Sequence, residues 1–411
     1  MKSKLFRKLN RYLLKKFSKN NVKYFYDLFF FGIGFFVSSL IALYISIIVN
    51  KNLPNVELGI FNYNKSLLEF LSYTFTLVMY RSYLRFNING VNISVKQKVQ
   101  KLSTLAFAGI ALVAFYLTDS FFAVVFAFFI FFEERLYFFR SLMQVAKINF
   151  LKIGSASLTL LLLYGFITVD LVKPELILFA YGLGFLLSIF FLKSKGSKTN
   201  FEEISWNTVL LYTFPMLGSI IVKLSLDLVS QYLIKINFDP IELSKYAIAV
   251  RVLLSVKVFS NLFMMFFPVI YFREVKKKNA SFIRKLRIFV IGSMLIIVIF
   301  ASFINEFVYN LMGASKYIEY TYMYSILVFS ELIFVIGGVY GVFLAYALKT
   351  HYSLMIYTVG AAVNIVLLNL FLKSYGIIIA PLSILVANIL MTTLFFIVSY
   401  RMENKYLKST E

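Results

Sequence analysis

Residues 205–271 read SWNTVLLYTFPMLGSIIVKLSLDLVSQYLIKINFDPIELSKYAIAVRVLLSVKVFSNLFMMFFPVIY, which is two long apolar runs separated by a short polar segment. A transmembrane helix needs about 20 mainly apolar residues, so this stretch predicts two neighbouring membrane-spanning helices. The runs nevertheless contain Lys223, Asp227, Arg251 and Lys257. A charge at the bilayer centre costs about 2.5–3.5 kcal/mol, so such residues usually face a cavity or one another. We therefore expect a water-filled, cationic cavity within a bundle of helices.

The composition of the chain is that of a polytopic membrane protein. Of its 411 residues, 60% are hydrophobic and 19% are aromatic, which is more apolar surface than a soluble domain requires. The absence of cysteine excludes disulfides, thiolate metal sites and a cysteine nucleophile. The net charge of +23 would indicate nucleic-acid binding in a soluble protein. Here the positions of the charges relative to the predicted spans explain it, and we expect no nucleic-acid partner.

The length rule predicts an all-α polytopic membrane protein with twelve transmembrane helices in two six-helix bundles around a central cationic cavity. The predicted spans are approximately residues 25–49, 57–80, 102–118, 120–142, 148–168, 172–193, 206–233, 244–271, 286–309, 320–347, 352–373 and 377–400. The predicted regions are a basic cytoplasmic tail (1–24), an N-terminal bundle (25–193), a cytoplasmic linker (194–204), a C-terminal bundle (205–400) and a cytoplasmic tail (401–411).

The distribution of basic residues predicts the orientation. With the N-terminus inside, 32 of the 42 lysines and arginines fall in inner segments and 6 in outer loops. This bias places both termini in the cytoplasm, and it accounts for most of the net charge. The four remaining cations lie at membrane depth and are Lys65, Lys223, Arg251 and Lys257. The acids predicted at depth are Glu69, Asp227 and Glu331.

A weak internal repeat supports the division into halves. The sequence NVELG at residues 55–59 opens the second predicted span, and PIELS at residues 240–244 opens the eighth. The offset, 185 residues from Glu57 to Glu242, brings Lys65 to within one position of Arg251. Repeated halves with a site at their interface are a common transporter architecture.

A polar face runs along the second predicted span. Its members recur at steps of three and four residues, which places them on one side of a helix. They are Asn62, Lys65, Glu69, Ser72 and Thr76. Lys65 and Glu69 are close enough to pair. Such a pair is compatible with a charged cavity and also with simple attachment of one helix to its neighbour.

The seventh span repeats this pattern, with Lys223 and Asp227 between Ser219 and Ser230, and its Pro215 predicts a kink. In the eighth span, the cations Arg251 and Lys257 have no acid three or four residues away.

The counter-ion of these two cations is therefore either the distant Glu331 or a bound anion. We favour the anion, because Arg and Lys together are how proteins hold phosphate groups.

Other polar and small residues predict packing rather than chemistry. Asn364, Asn388 and Thr392 are typical of interhelical hydrogen bonds, and Gly337 with Gly341 indicates close helix contact. No GxxxxGK[ST] or HExxH motif occurs, and the chain has a single histidine. We expect neither an enzyme nor a bound metal or cofactor.

Three stretches resemble the polysaccharide flippases (Wzx-like) of the multidrug/oligosaccharidyl-lipid/polysaccharide exporter superfamily. They are LPNVELGIFNYNKSLLEFLSYTFTLVMYRSYLRF at residues 53–86, YTFPMLGSIIVKLSLDLVSQYLI at 212–234 and ELSKYAIAVRVLLSVKVF at 242–259. The chain departs from the family pattern at two places. It has Ser244 where the family has Gly, and Thr-Phe-Pro at residues 213–215 where the family has Gly-Leu-Pro.

The resemblance implies a flippase in the bacterial cytoplasmic (inner) membrane. It would move undecaprenyl-pyrophosphate-linked oligosaccharide from the inner to the outer leaflet by alternating access, for O-antigen or capsule biosynthesis. Its partners would be membrane lipids and the polysaccharide polymerase machinery.

Together with the charge pattern, the resemblance assigns roles to individual residues. The predicted pyrophosphate ligands are Arg251, Lys257, Lys65 and Lys223. The predicted cavity-charge or ion-coupling residues are Glu69, Asp227 and Glu331. The predicted cavity lining is Asn62, Ser72, Ser219, Ser255 and Asn261, with Pro215 as a hinge.

Three other functions remain open. A drug or cation antiporter of the same superfamily predicts an acidic lumen, whereas the spans hold four bases against three acids. A membrane-embedded polysaccharide polymerase or ligase predicts a large outer loop bearing Arg or His, and the predicted boundaries leave no such loop. A non-transporting scaffold has no use for seven charges at membrane depth.

Overall fold

The computed structural model describes residues 19–53, 55–190, 199–200, 202–238, 240–311 and 315–408. Most of the predicted N-terminal tail, much of the predicted linker and the last three residues lie outside these ranges.

Twelve long helices within the described residues correspond one to one to the predicted spans. They are α1 (Lys19–Asn52), α2 (Asn55–Phe75), α3 (Ile93–Thr118), α4 (Phe129–Ser141), α5 (Val145–Thr168), α6 (Pro174–Phe190), α7 (Trp206–Asn237), α8 (Pro240–Lys276), α9 (Ala280–Phe303), α10 (Thr321–Tyr346), α11 (Thr350–Tyr375) and α12 (Ile379–Phe395). The predicted all-α fold class is confirmed.

Short elements connect or extend these helices. The helical ones are Met79–Arg81, Ser82–Phe86, Phe121–Val124, Val125–Phe128, Asn305–Leu311, Ser315–Tyr320, Gly376–Ile378, Phe396–Tyr400 and Arg401–Lys408. The sequence analysis did not predict the two-residue parallel strand pair, in which β1 (Val91–Asn92) is aligned with β2 (Thr199–Asn200). The pair lies within the N-terminal half and is too small to change the fold class.

Seven helical stretches within the described residues are long and apolar enough to cross a membrane, judged by length and composition. They are Phe29–Val49, Ile93–Thr118, Val145–Thr168, Leu254–Lys276, Ala280–Phe303, Tyr317–Tyr346 and Thr350–Lys408. The last has 59 residues, and Gly376, with a φ of +75°, separates α11 from α12 within it. The chain is therefore a multi-pass membrane protein. α2 does not meet these criteria, and Lys65 and Glu69 interrupt its apolar surface.

The chain forms two compact units, Met1–Ile204 and Ser205–Glu411. Helices at equivalent positions pack in the same pairs within each unit. In the N-terminal unit α1 packs on α5, α5 on α6, and α2 on α3. In the C-terminal unit α7 packs on α11, α11 on α12, and α8 on α9. The two sequence repeats open equivalent helices, since α2 begins at Asn55 and α8 at Pro240, and the first-turn acids Glu57 and Glu242 favour these helix starts.

Polar side chains join helices inside the C-terminal unit. Asn364 of α11 accepts a hydrogen bond from Ser383 Oγ of α12 at 2.7 Å. Asn388 Nδ2 donates to Ser330 Oγ at 2.7 Å, and Thr392 Oγ1 donates to the Ile333 carbonyl at 2.7 Å. The predicted interhelical hydrogen bonds of these three residues are confirmed.

Gly337 and Gly341 lie where α10 meets α12. A Cβ atom at Gly337 would lie 2.6 Å from Thr392 Oγ1, and one at Gly341 would lie 2.8 Å from Phe395 Cδ1. The close packing predicted for this pair is therefore present.

Pro215 lies inside α7, and the helix continues through it. Because proline has no N–H, the Leu211 carbonyl loses its usual helical donor. Thr350 Oγ1, at the start of α11, lies 3.4 Å from that carbonyl and 2.9 Å from the Tyr212 carbonyl. The Thr350 hydroxyl therefore bonds the Tyr212 carbonyl and makes only a long contact to the carbonyl that Pro215 leaves without its donor.

Candidate functional site

Lys65 and Glu69 of α2 form the ion pair that their spacing predicted. Lys65 Nζ donates to Glu69 Oε1 at 2.8 Å, and the two side chains are 28% and 31% exposed. Lys65 Nζ also lies 5.4 Å from the centroid of the Tyr181 ring on α6. Glu69 is thus neutralised by a cation of its own helix.

The other described members of the α2 polar face donate hydrogen bonds to carbonyls one turn earlier in the chain. Ser72 and Thr76 are buried, and their hydroxyls donate to the Leu68 and Ser72 carbonyls, each at 2.7 Å. The side chain of Asn62 lies outside the described residues.

In α7, the two predicted serines also bond locally. Ser219 Oγ donates to the Pro215 carbonyl at 2.8 Å, and Ser230 Oγ donates to the Leu226 carbonyl at 3.0 Å. The side chains of Lys223 and Asp227 lie outside the described residues, so their predicted pairing stays a prediction.

On α8 the structure brings Glu331 close to the predicted site. Ser260 Oγ donates to Glu331 Oε1 of α10 at 2.5 Å, one helical turn after the half-buried Lys257. Ser255 Oγ donates to the Val252 carbonyl and lies 3.5 Å from the Tyr324 hydroxyl of α10. Asn261 is exposed.

The side chain of Arg251 lies outside the described residues, although its backbone is part of α8. Its predicted contact with an anion stays a prediction.

A second charged cluster lies in the N-terminal unit and was not predicted as a site from the sequence. It contains Arg81 after α2, Glu133 and Arg140 of α4, and Lys152 of α5. The Arg81 and Arg140 guanidinium carbons lie 5.6 and 5.1 Å from the centroid of the Tyr137 ring. Glu133 interacts electrostatically with the three cations of the cluster.

A signal for this cluster was present in the sequence. Glu133, Tyr137 and Arg140 recur at steps of four and three residues, so they share one helix face. The positive-inside bias alone explains the presence of Arg81, Arg140 and Lys152 at the inner face, so it gives no indication that they lie close together.

Two further buried pairs serve packing. Tyr83 donates to Glu134 Oε1 at 3.2 Å, and Arg135 Nη1 lies 3.8 Å from the same oxygen. Arg287 of α9 forms an ion pair with Glu403 of the C-terminal helix. These pairs connect helices within one unit.

Solved structures of one transporter family match the chain over most of its length. A crystal structure of a mutant MATE protein superposes with a TM-score of 0.78 at 14% identity, covering 93% of this chain and 96% of the other. A mutant of the Vibrio cholerae MATE transporter VcmN gives 0.75 at 15% identity, covering 94% and 98%. The chain has a MATE-type fold.

An outward-facing multidrug resistance MATE family transporter of the MOP superfamily also matches, with a TM-score of 0.75 at 12% identity, covering 94% of this chain and 97% of the other. No protein-family model matches the chain, and no curated protein does. The likeness to MATE structures gives the architecture of twelve helices in two bundles. At these identities the likeness shows the fold alone.

Proposed function

We propose that this protein is a transporter that works by alternating access, and that its substrate is an anionic, lipid-linked oligosaccharide of the undecaprenyl-pyrophosphate type. The MATE-type fold supports the transport mechanism, because transporters built from repeated bundles move one bundle against the other around a site. The proposed location is the bacterial cytoplasmic membrane, with both termini inside.

The Lys65–Glu69 pair is the observation that supports an anionic substrate. A transporter of cationic drugs needs a carboxylate that is available to the drug or to a proton. Glu69 is instead engaged by Lys65 at 2.8 Å, and Glu331 accepts a hydrogen bond from Ser260. With these acids engaged, the predicted excess of cations at membrane depth, four against three acids, favours an anion.

The proposed substrate site consists of Arg251 and Lys257 of α8, assisted by Lys223 of α7. A pyrophosphate matches such a group of cations, because guanidinium and ammonium groups form short, charge-assisted hydrogen bonds to phosphate oxygens. The polyprenyl tail would remain in the lipid.

A multidrug antiporter is the second candidate, and the matched structures favour it. One of them is described as a multidrug resistance transporter, and the fold likeness covers nearly the whole chain. In that case Glu69, Asp227 or Glu331 would couple drug export to an ion.

The decisive experiment uses purified protein reconstituted in liposomes with undecaprenyl-pyrophosphate-linked oligosaccharide. Accessibility of the glycan to a membrane-impermeant oxidant measures its transfer across the bilayer. We expect Arg251→Ala and Lys257→Ala each to slow transfer at least about tenfold, since each removes a charge-assisted contact. Lys373→Ala, which removes an exposed cation at the end of α11, is the matched control and should transfer at the wild-type rate.

Glu69→Gln separates the two candidates. It should leave glycan transfer within about threefold of wild type, since it removes no predicted phosphate ligand. Export of cationic dyes that is abolished by Glu69→Gln, together with wild-type glycan transfer by Arg251→Ala and Lys257→Ala, would replace the flippase with an antiporter.

A further inference from the structure

The backbone after α2 holds an unusual conformation next to the second charged cluster. Regular helix ends at Phe75, and both Leu77 and Val78 adopt left-handed conformations, with φ values of +47° and +44°. Each such residue costs about 1–2 kcal/mol when it is not glycine, and a β-branched valine is a pronounced outlier. Val78 is fully buried, so the surrounding packing maintains the strain. Strain of this kind is concentrated at functional sites.

The strained turn places two side chains against α4. The Tyr80 ring lies 4.9 Å, and the Arg81 guanidinium carbon 5.6 Å, from the centroid of the Tyr137 ring. Arg140, which is 6% exposed, approaches the same ring at 5.1 Å. A continuous α2 would carry Tyr80 and Arg81 along the helix axis, so the turn accounts for their position.

The cluster carries an excess of positive charge. Among the described residues, the electrostatic partners of Glu133 include three cations, Arg81, Arg140 and Lys152, and one further acid, Glu69. Glu69 is already paired with Lys65. The formal charges of the cluster, three cations and one acid, therefore sum to +2, and a bound anion would lower the cost of holding like charges in a half-buried environment.

Arg81 of the cluster and the neighbouring Tyr80 each have a buried donor with no acceptor among the described residues. The two donors are Arg81 Nε and the Tyr80 hydroxyl. A buried polar group left without a partner costs about 1–3 kcal/mol. Both groups can donate, so both deficits would be removed by one species that supplies acceptor oxygens and negative charge.

We propose that the N-terminal unit binds one phosphate-bearing anion between Arg81, Arg140 and Lys152, with Tyr80 as an additional donor. A phosphate monoester carries about −1.5 to −2 charges and several acceptor oxygens, which matches the excess of about +2. The planar donor forks of the two arginines suit phosphate oxygens. Arg251 and Lys257 lie in the other unit, and Lys65, which lies in this unit, is already paired with Glu69 and is not among the proposed ligands of the cluster. Binding of the anion here therefore does not depend on what is transported.

Two sources supply the same phosphate chemistry. The predicted orientation puts the cluster at the cytoplasmic end of the bundle, at the level of lipid headgroups. The anion is either the headgroup of an anionic phospholipid or a soluble phosphate or pyrophosphate group that enters from the cytoplasm. The experiment has one arm for each source.

The first arm measures thermal unfolding of the purified protein in a neutral detergent while inorganic pyrophosphate is titrated. The second arm uses native mass spectrometry in the same detergent with added phosphatidylglycerol, and phosphatidylcholine as the neutral reference. A ligand that binds only the folded protein raises the unfolding temperature with concentration. We expect saturable stabilisation in the first arm or retention of phosphatidylglycerol over phosphatidylcholine in the second.

Four variants test which residues bind. Arg81→Gln combined with Arg140→Gln should weaken binding at least about tenfold, because two charge-assisted contacts are lost. Lys101→Gln, which removes an exposed cation of α3, should bind as wild type.

Tyr80→Phe removes the buried hydroxyl that has no acceptor, so the ligand-free protein should be at least as stable as wild type while binding falls about threefold. Glu133→Gln should tighten binding by a few-fold, because it removes the negative charge of the cluster. These two variants separate loss of a ligand contact from loss of folding.

The two arms identify the source. A response to pyrophosphate alone indicates a soluble phosphate, a response to phosphatidylglycerol alone indicates a lipid headgroup, and both responses indicate a site that accepts either. The proposal is overturned if wild-type protein responds in neither arm, or if the Arg81/Arg140 double variant and Glu133→Gln bind as wild type does. Both assays measure binding without transport, so neither result decides the proposed transport function.

Discussion

The ion pair between Arg287 and Glu403 attaches the C-terminal helix Arg401–Lys408 to α9, and its removal should be strongly destabilising. The two side chains are 8% and 2% exposed. Arg287 Nη2 also lies 3.4 Å from the Tyr271 hydroxyl, and the guanidinium carbon lies 4.8 Å from the centroid of the Tyr340 ring. Glu403→Ala leaves this guanidinium buried without its carboxylate.

The burial of both groups determines how much stability is lost when one of them is removed. Removing one partner of a buried pair costs about 3–5 kcal/mol, because the remaining charge has lost its compensation. We expect Glu403→Ala and Arg287→Met to cost this much each. The double variant should cost clearly less than the sum, with a coupling energy of about 2–3 kcal/mol. Equilibrium unfolding in mixed detergent micelles, followed by far-UV circular dichroism, measures the four free energies of the cycle.

The Lys277–Glu274 pair at the end of α8 provides a comparison cycle. Its lysine side chain is 53% exposed, so solvent screens the pair and the coupling should be below about 1 kcal/mol. The two single-variant costs in the Arg287–Glu403 cycle should not simply add up to the cost of the double variant. Agreement to within about 0.5 kcal/mol would refute the assignment of this pair as a buried attachment.

Two further predictions concern packing within each unit, and the same unfolding measurement checks both. Gly182→Ala should cost about 1–3 kcal/mol, because its Cβ would lie 2.4 Å from the Val125 carbonyl carbon. Gly165→Ala, whose Cβ would have nothing within 4 Å, should instead stabilise the protein by up to about 1 kcal/mol. Equal effects of the two variants would contradict the close approach at Gly182. Asn364→Ala should cost about 1–3 kcal/mol, because it removes the buried interhelical hydrogen bond from Ser383 and leaves that hydroxyl only the Ala380 carbonyl of its own helix. The exposed Asn369→Ala should change stability by less than about 0.5 kcal/mol. A neutral Asn364→Ala would remove its role in joining α11 to α12.

The helical framework could be predicted from the sequence because it depends on local patterns. Runs of about 20 apolar residues predict spans wherever they occur. The helix starts at Asn55 and Pro240 and the contact between Lys65 and Glu69 depend on residues a few positions apart. The axial periodicity of a helix determines such contacts, and no tertiary information is needed for them.

The second charged cluster could not be predicted in the same way. Tyr80 and Arg81 approach Tyr137 only because the chain leaves the helix at Leu77 and Val78, and neither residue type signals a left-handed turn. The contact between Ser260 and Glu331 joins helices 71 residues apart, and the register of one helix against another depends on the packing of the whole unit. The positive-inside bias explains the cations of the second charged cluster one by one, but it does not predict that they come together.

Transport by the proposed mechanism requires that the cations of α8 face a water-filled cavity that opens to each side of the membrane in turn. The chain has no cysteine, so single cysteines can be introduced without further changes. Arg251→Cys and Lys257→Cys are treated with a membrane-impermeant thiol reagent from one side of sealed vesicles and then from the other. Ile296→Cys is the control, because Ile296 is an apolar, 69% exposed residue of the candidate membrane span α9. A side chain exposed there faces lipid, which the polar reagent does not enter. We expect modification of both α8 cysteines from either side and none at position 296. If neither α8 cysteine reacts from either side, these positions do not face an alternately open cavity.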